Sequence, residues 1–158
     1  MDAFVTWIGS SWLHNWINLS PWAYPAMGIV HFTGLSILFG SLLVIDLRVA
    51  GFASFINMRD AMKFIPVAMA GFSLNLLSGA VLFSWSPETF VVNVGFQWKM
   101  GLILIAGLNA LWFWFGEHTK LVKLADGEQA EPTAKVIAIA SLLLWLAVIS
   151  VARWMAFL

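Results

Sequence analysis

The sequence predicts an all-α integral membrane fold: a four-helix bundle preceded by a Trp-rich interfacial N-terminal helical segment. Three observations carry this expectation. Of 158 residues, 61% are hydrophobic and only 10% charged, whereas a soluble domain carries about 25% charged residues. The charges are also segregated. Ala3 to Ile45 holds no Lys, Arg, Asp or Glu, and three more uncharged windows follow at Phe64–Pro87, Met100–Gly116 and Val136–Ala152. A spanning helix needs roughly 20 mostly apolar residues, with a range of about 17–25. The last two windows are at the short end, and Phe96–Trp98 and Thr133–Ala134 extend them. Finally, Trp7, Trp12, Trp16, Trp22, Trp85, Trp98 and Trp154 all map to one side of such a bundle, where an aromatic belt belongs at a membrane–water interface.

Element by element, residues 2–19 come first. Phe4, Trp7, Ile8 and Trp12 follow helical spacing while Gly9, Ser10 and Ser11 interrupt it. This reads as one or two short helices lying in the interface. The N-terminus carries Asp2 and no basic residue, so a cleaved signal peptide is not expected. Ser20-Pro21 resembles a helix start, and the first span is placed at about 21–46. The second span covers about 64–85, with Pro66 in its first turn, and Ser86-Pro87-Glu88 breaks it. The third runs from about 97 to 118. Lys120–Glu131 is a charged loop with an Asp126-Gly127 turn. Pro132 opens the fourth span, at about 132–157.

Eight basic and eight acidic residues cancel, which gives no case for nucleic acid. There is no cysteine, hence no disulfide framework or thiolate metal site. Orientation follows from lysine and arginine. Arg48, Arg59, Lys63, Lys120, Lys123 and Lys135 fall on one side, and only Lys99 and Arg153 on the other. The positive-inside rule then places the two basic loops in the cytoplasm and both termini outside.

The most informative residue is His31, an ionisable group well inside the longest uncharged run. At about 1.5 Å per residue it lies roughly 13 Å from Trp22, Asn75 roughly 16 Å from Phe64, and Asn109 roughly 15 Å from Lys99. All three fall near the middle of a hydrocarbon layer about 30 Å thick. Gly71, Asn75 and Gly79 share one stripe of the second span, and Ser36 and Gly40 one stripe of the first. Small residues let helices approach closely. The expectation is a buried polar centre of His31, Asn75 and Asn109, serving either as interhelical glue or as a ligand site.

The same residues allow a metal reading. His31 could ligate haem b or copper, with Met27 one turn before it or His14 from the interfacial segment as second donor. His118 stands about 15 Å away along the bundle axis, so one iron cannot take both. At the charged ends, Asp46 and Arg48 cannot face each other at i, i+2. Pairing with Arg59 or Asp60, or anchoring in headgroups, is expected for each. Lys99 and Arg153 suggest snorkelling or an outer cationic site, with Glu88 as counter-ion.

Val30-His31-Phe-Thr-Gly34, then Phe39-Gly40 and Ile45-Asp46-Leu47-Arg48-Val-Ala-Gly51, resembles a family of small bacterial four-span membrane proteins known as a domain of unknown function. Its pattern looks like LHxxG…G…DLRxxG. Ser78-Gly79-x-x-Leu82-Phe83, Phe96-x-x-Lys99, Asn109, Trp145 and Ala152-Arg153 extend the likeness over nearly the whole chain. The resemblance implies a four-helix fold and an inner-membrane address, with no reaction attached. The layout is also distantly similar to copper-resistance membrane proteins and b-type cytochromes, although paired histidines at matching depth are lacking.

No phosphate loop, His-x-x-x-His or Ser/His/Asp set is present. The sequence therefore leads to a non-catalytic inner-membrane protein that binds a small ligand, lipid or protein partner. A haem or copper electron-transfer protein is the alternative, and a subunit of an oligomeric carrier a third. Membrane lipids, a homo-oligomer or a larger membrane complex are the expected partners.

Overall fold

A computed structural model describes residues 2–124 and 128–157. The expected Asp126-Gly127 turn lies outside the described residues. Regular structure among the described residues is all helix: α1 (Asp2–Gly9), α2 (Trp12–Leu19), α3 (Ala23–Ala50), α4 (Met58–Met62), α5 (Ile65–Phe83), α6 (Pro87–Val92), α7 (Val94–Trp112), α8 (His118–Val122) and α9 (Pro132–Trp154). Four stretches are long and apolar enough to cross a membrane: Ala23–Ala50, Met58–Phe83, Val94–Val122 and Pro132–Trp154.

The N-terminal segment is two helices, broken at Ser10–Ser11. Ser11 caps α2, its side chain accepting from the His14 N–H at 3.2 Å. Ser20 ends α2 instead of starting α3, because its N–H donates to the Trp16 carbonyl at 3.2 Å. The first span then begins at Ala23 and runs one turn past Asp46. It stops at Gly51, whose φ of 97° is a left-handed conformation that side chains resist. The third span starts earlier than its apolar run. Asn93 caps α7, with Oδ1 accepting from the Phe96 N–H at 2.9 Å. A π-helical turn at Phe113–Glu117 joins α7 to α8, and Trp114 stacks on His118 with ring centroids 4.4 Å apart.

The four long helices pack in the order α5–α3–α9–α7, with close backbone packing of α3 on α5, α7 on α9 and α3 on α9. Helices α5 and α7 stand apart. The α3–α5 seam is the tightest. A Cβ placed on Gly71 would lie 2.6 Å from the Leu38 nitrogen and 2.9 Å from the Gly34 oxygen, and one on Gly34 would lie 2.8 Å from the Asn75 nitrogen. Only glycine allows this approach, and dispersion between close backbones is what holds helices together where lipid removes the hydrophobic drive.

We call the end holding α1, α2, α6 and the last turn of α9 the terminal end, and the other the loop end. The loop end is solidly packed. Ile45, Val49, Met58, Met62, Leu121, Ala134 and Ala138 form one buried cluster there. A second cluster at mid-bundle joins Leu38, Ala68, Ala106, Trp145 and Val148. The terminal end is hollow.

Gly71→Val is expected to push α5 off α3 and cost about 1–3 kcal/mol, the usual penalty of overpacking. Gly101→Ala, where nothing lies within 4 Å of the added Cβ, is expected to be neutral. Thermal unfolding in detergent, followed by circular dichroism, separates the two.

Candidate functional site

His31 and Asn75 clasp each other across the α3–α5 seam. The Asn75 side-chain amide donates to the His31 carbonyl at 2.9 Å. His31 Nδ1 lies 2.9 Å from the Asn75 carbonyl and 3.1 Å from Ser78 Oγ. A carbonyl only accepts, so Nδ1 carries the proton and Nε2 of the neutral ring is left as an acceptor. Gly79 makes room for the ring, since a Cβ there would lie 3.1 Å from His31 Cε1. The Nδ1 and Cε1 edge is therefore held on α5, and Nε2 makes no hydrogen bond among the described residues.

The ring borders a cavity of about 420 Å³ in the terminal half of the bundle. Its walls come from all four long helices and α6, and include Tyr24, Phe96 and Trp145. Phe83, Phe90 and Phe96 form a triangle with centroids 5.4–6.0 Å apart, which bridges α5, α6 and α7 at the terminal end. Below that triangle α5 and α7 are not among the closely packed helix pairs. Lys99 and Arg153 both line it, and no Asp or Glu does. The ion pairs among the described residues are Lys63–Asp60, Lys120–Glu117 and Lys120–Glu131, so neither cavity cation has a carboxylate partner. The Arg153 guanidinium instead lies 5.7 Å from the centroid of the Phe157 ring.

The structure separates other residues that the sequence grouped. Glu88 is not the counter-ion of Lys99 and Arg153: it is exposed in the first turn of α6 and accepts from Ser86 Oγ at 3.2 Å. Asn109 does not join His31 and Asn75. Its amide donates to the Ile137 carbonyl at 3.2 Å across the α7–α9 seam, beside a separate groove lined by Trp112, Pro132 and Val136.

Asp46 and Arg48 are not headgroup anchors, for their exposures are 4% and 2%. Their partners are not Arg59 or Asp60 either. Arg48 donates from Nε to the Ile56 carbonyl and from Nη2 to the Glu128 carbonyl, so it ties the α3–α4 loop to the segment before α9. Asp46 meets the Ser141 hydroxyl of α9. Each keeps one buried atom without a partner, Asp46 Oδ2 and Arg48 Nη1.

The metal reading gains one ligand and no second. His14 is held outside the cavity, with Nδ1 2.7 Å from the Ser84 carbonyl. Met27 does not line the cavity either. His118 stacks on Trp114 at the loop end. Among the described residues no group of three or more His, Asp or Glu could hold a metal ion. Sequence reasoning missed Ser78, Tyr24 and the phenylalanine triangle. Ser78 follows Asn75 by three residues and could have been placed on its face, but the triangle depends on the turn of α6.

Comparison with family models, with curated proteins and with solved structures gives no match. The class rests on the chain itself. Four long apolar helices in an all-α bundle define a multi-pass membrane protein, and its most built site is the cavity that His31, Lys99 and Arg153 share.

Asn75→Ala removes the amide bond to His31 but keeps the carbonyl that orients the ring. The expected cost is about 0.6–1.7 kcal/mol, as for other interhelical hydrogen bonds in membranes, read from denaturant unfolding in micelles. Arg48→Ala releases both loop carbonyls, and faster chymotryptic cleavage at Phe52 and Phe55 is the expected outcome.

Proposed function

We propose that the protein is a non-catalytic binding protein of the bacterial inner membrane, with both termini outside, and that it holds an anionic amphiphile in the terminal-end cavity. The observation that carries this reading is the pair Lys99 and Arg153. Two cations line an aromatic-walled cavity that no carboxylate lines. Lys99 is part-buried and Arg153 exposed at the end of its helix. An unpaired cation facing low dielectric is costly, and an anion bound between the two would offset that cost at Lys99. The volume of about 420 Å³ falls in the range of small-molecule sites, ~300–1,000 Å³. The sparse packing of α5 on α7 supports entry from the bilayer on that side. The basic residues of the loop end support the orientation.

A second reading keeps His31 as an axial ligand of haem b or copper. It is favoured by the Nδ1 anchor, since ligating histidines commonly donate their other nitrogen to a carbonyl. An absorbance spectrum of the purified protein decides it: a Soret band lost in His31→Ala would establish haem.

For the preferred reading, protein in nanodiscs is titrated with oleate, oleoyl phosphate and uncharged monoolein while tryptophan fluorescence is followed. Binding of the two anions is expected to weaken about tenfold or more for each of Lys99→Gln and Arg153→Gln, the worth of one charge-assisted hydrogen bond. Monoolein binding should be unaffected. Equal affinity of anions and monoolein would end the proposal.

A further inference from the structure

The cavity is graded along the bundle axis, and the grading specifies more than an anion. Arg153 lies at the last turn of α9, at the mouth. Lys99 is five residues inside the start of α7, roughly 7 Å deep at 1.5 Å per residue. His31 is eight residues inside the start of α3, roughly 12 Å deep. Beyond it the walls are Leu35, Ile103 and Trp145, hydrocarbon or ring. From mouth to floor the order is therefore cation, cation, neutral hydrogen-bond acceptor, hydrocarbon.

The acceptor is the unusual part. A plain fatty acid offers an anion and a chain, but nothing for Nε2. A ligand that satisfies all three zones needs an anionic head, a hydrogen-bond donor just beneath it, and one chain. In a glycerophospholipid lacking its second acyl chain the order is phosphate, free glycerol hydroxyl, acyl chain. A diacyl lipid has no such hydroxyl, and its second chain would compete for a cavity of only about 420 Å³. We infer that the site is selective for single-chain phospholipids, lysophospholipids, with the phosphate between Lys99 and Arg153 and the glycerol hydroxyl donating to His31 Nε2. Asn75 and Ser78 act as positioning residues, since they fix the ring from its Nδ1 side at 2.9 and 3.1 Å. This inference rests on the anionic-amphiphile reading and names the ligand class for that same site.

The test uses full-length protein in nanodiscs and three probes: 1-oleoyl lysophosphatidate, its 2-deoxy analogue and dioleoyl phosphatidate. Affinity is read by tryptophan fluorescence and checked by native mass spectrometry. Lysophosphatidate is expected to bind about tenfold more tightly than the deoxy analogue, the worth of one hydrogen bond that would otherwise leave an acceptor bare. In His31→Phe the two should bind alike, at the affinity of the deoxy analogue on the unaltered protein. Should that variant not fold, the two probes on the unaltered protein decide alone. Equal binding of the hydroxyl and deoxy probes overturns the inference, as does diacyl phosphatidate binding as tightly as the lyso form. In either case the anionic-amphiphile reading survives if Lys99→Gln and Arg153→Gln still weaken all three probes. Indifference of every probe to those two substitutions overturns both.

Discussion

The close approach of α3 and α5 governs the rest of the molecule. At Gly34 and Gly71 the two backbones meet with no room for a methyl group. One turn away His31 and Asn75 exchange hydrogen bonds in both directions. In water such a pair would be one contribution among many, behind hydrophobic burial. In lipid, side chains gain nothing by leaving hydrocarbon for hydrocarbon, so close packing and interhelical hydrogen bonds decide which helices pair. Gly71, Ser78 and Gly79 of α5 are committed to α3. Helix α5 packs closely on α3 and not on α7. The cavity follows from that choice of partner.

The two ends of the bundle diverge for a related reason. At the loop end Ala61, Ala130, Ala134 and Ala138 are fully or almost fully buried, and larger chains from α3, α4 and α8 fit between them. Arg48 fastens the same region by donating to carbonyls of two separate segments. At the terminal end the contacts are made by aromatic rings, Phe83 with Phe96 and Tyr24 with Trp85, the latter 4.7 Å apart. The first pair is stacked and the second tilted, and rings of that size between helices keep the backbones apart. In the proposed reading the packed loop end is the fixed support that a binding cavity needs behind it.

Much of this was legible in the sequence, and what was missed has one physical cause. Uncharged runs set the number of spans, and Gly71, Asn75 and Gly79 at four-residue spacing marked the tight face of α5. Position along a helix follows from a fixed rise per residue, and His31, Asn75 and Asn109 all fall well inside the candidate spans. Direction around the bundle does not follow from depth. Asn109 lies deep but turns to the α7–α9 seam, which no period within α7 alone reveals. The same ambiguity hid Arg48. A charge at a helix end suggests water, yet the loops beyond α3 fold back over it and supply carbonyls. Glu88 was drawn to Lys99 by sign alone, and the turn at Ser86–Pro87 carries it away.

The remaining question is why a histidine is needed at position 31, if helix pairing were its only task. Asn75 already supplies an amide across the seam. The carbonyl that receives His31 Nδ1 belongs to the middle of α5, where the helix itself provides an N–H four residues on. The imidazole thus adds a bond to a group that had a partner. It also brings a second nitrogen that has none among the described residues. A ring nitrogen in a part-buried cavity without a partner is less well satisfied than one in water. Glycine at position 79 adds to that cost, because it gives up side-chain packing so that the Nδ1–Cε1 edge of the ring can approach α5. A purely structural histidine would leave both costs unbalanced. In the reading proposed above, a ligand that donates to Nε2 balances them, and the cavity that the ring borders is where it would bind.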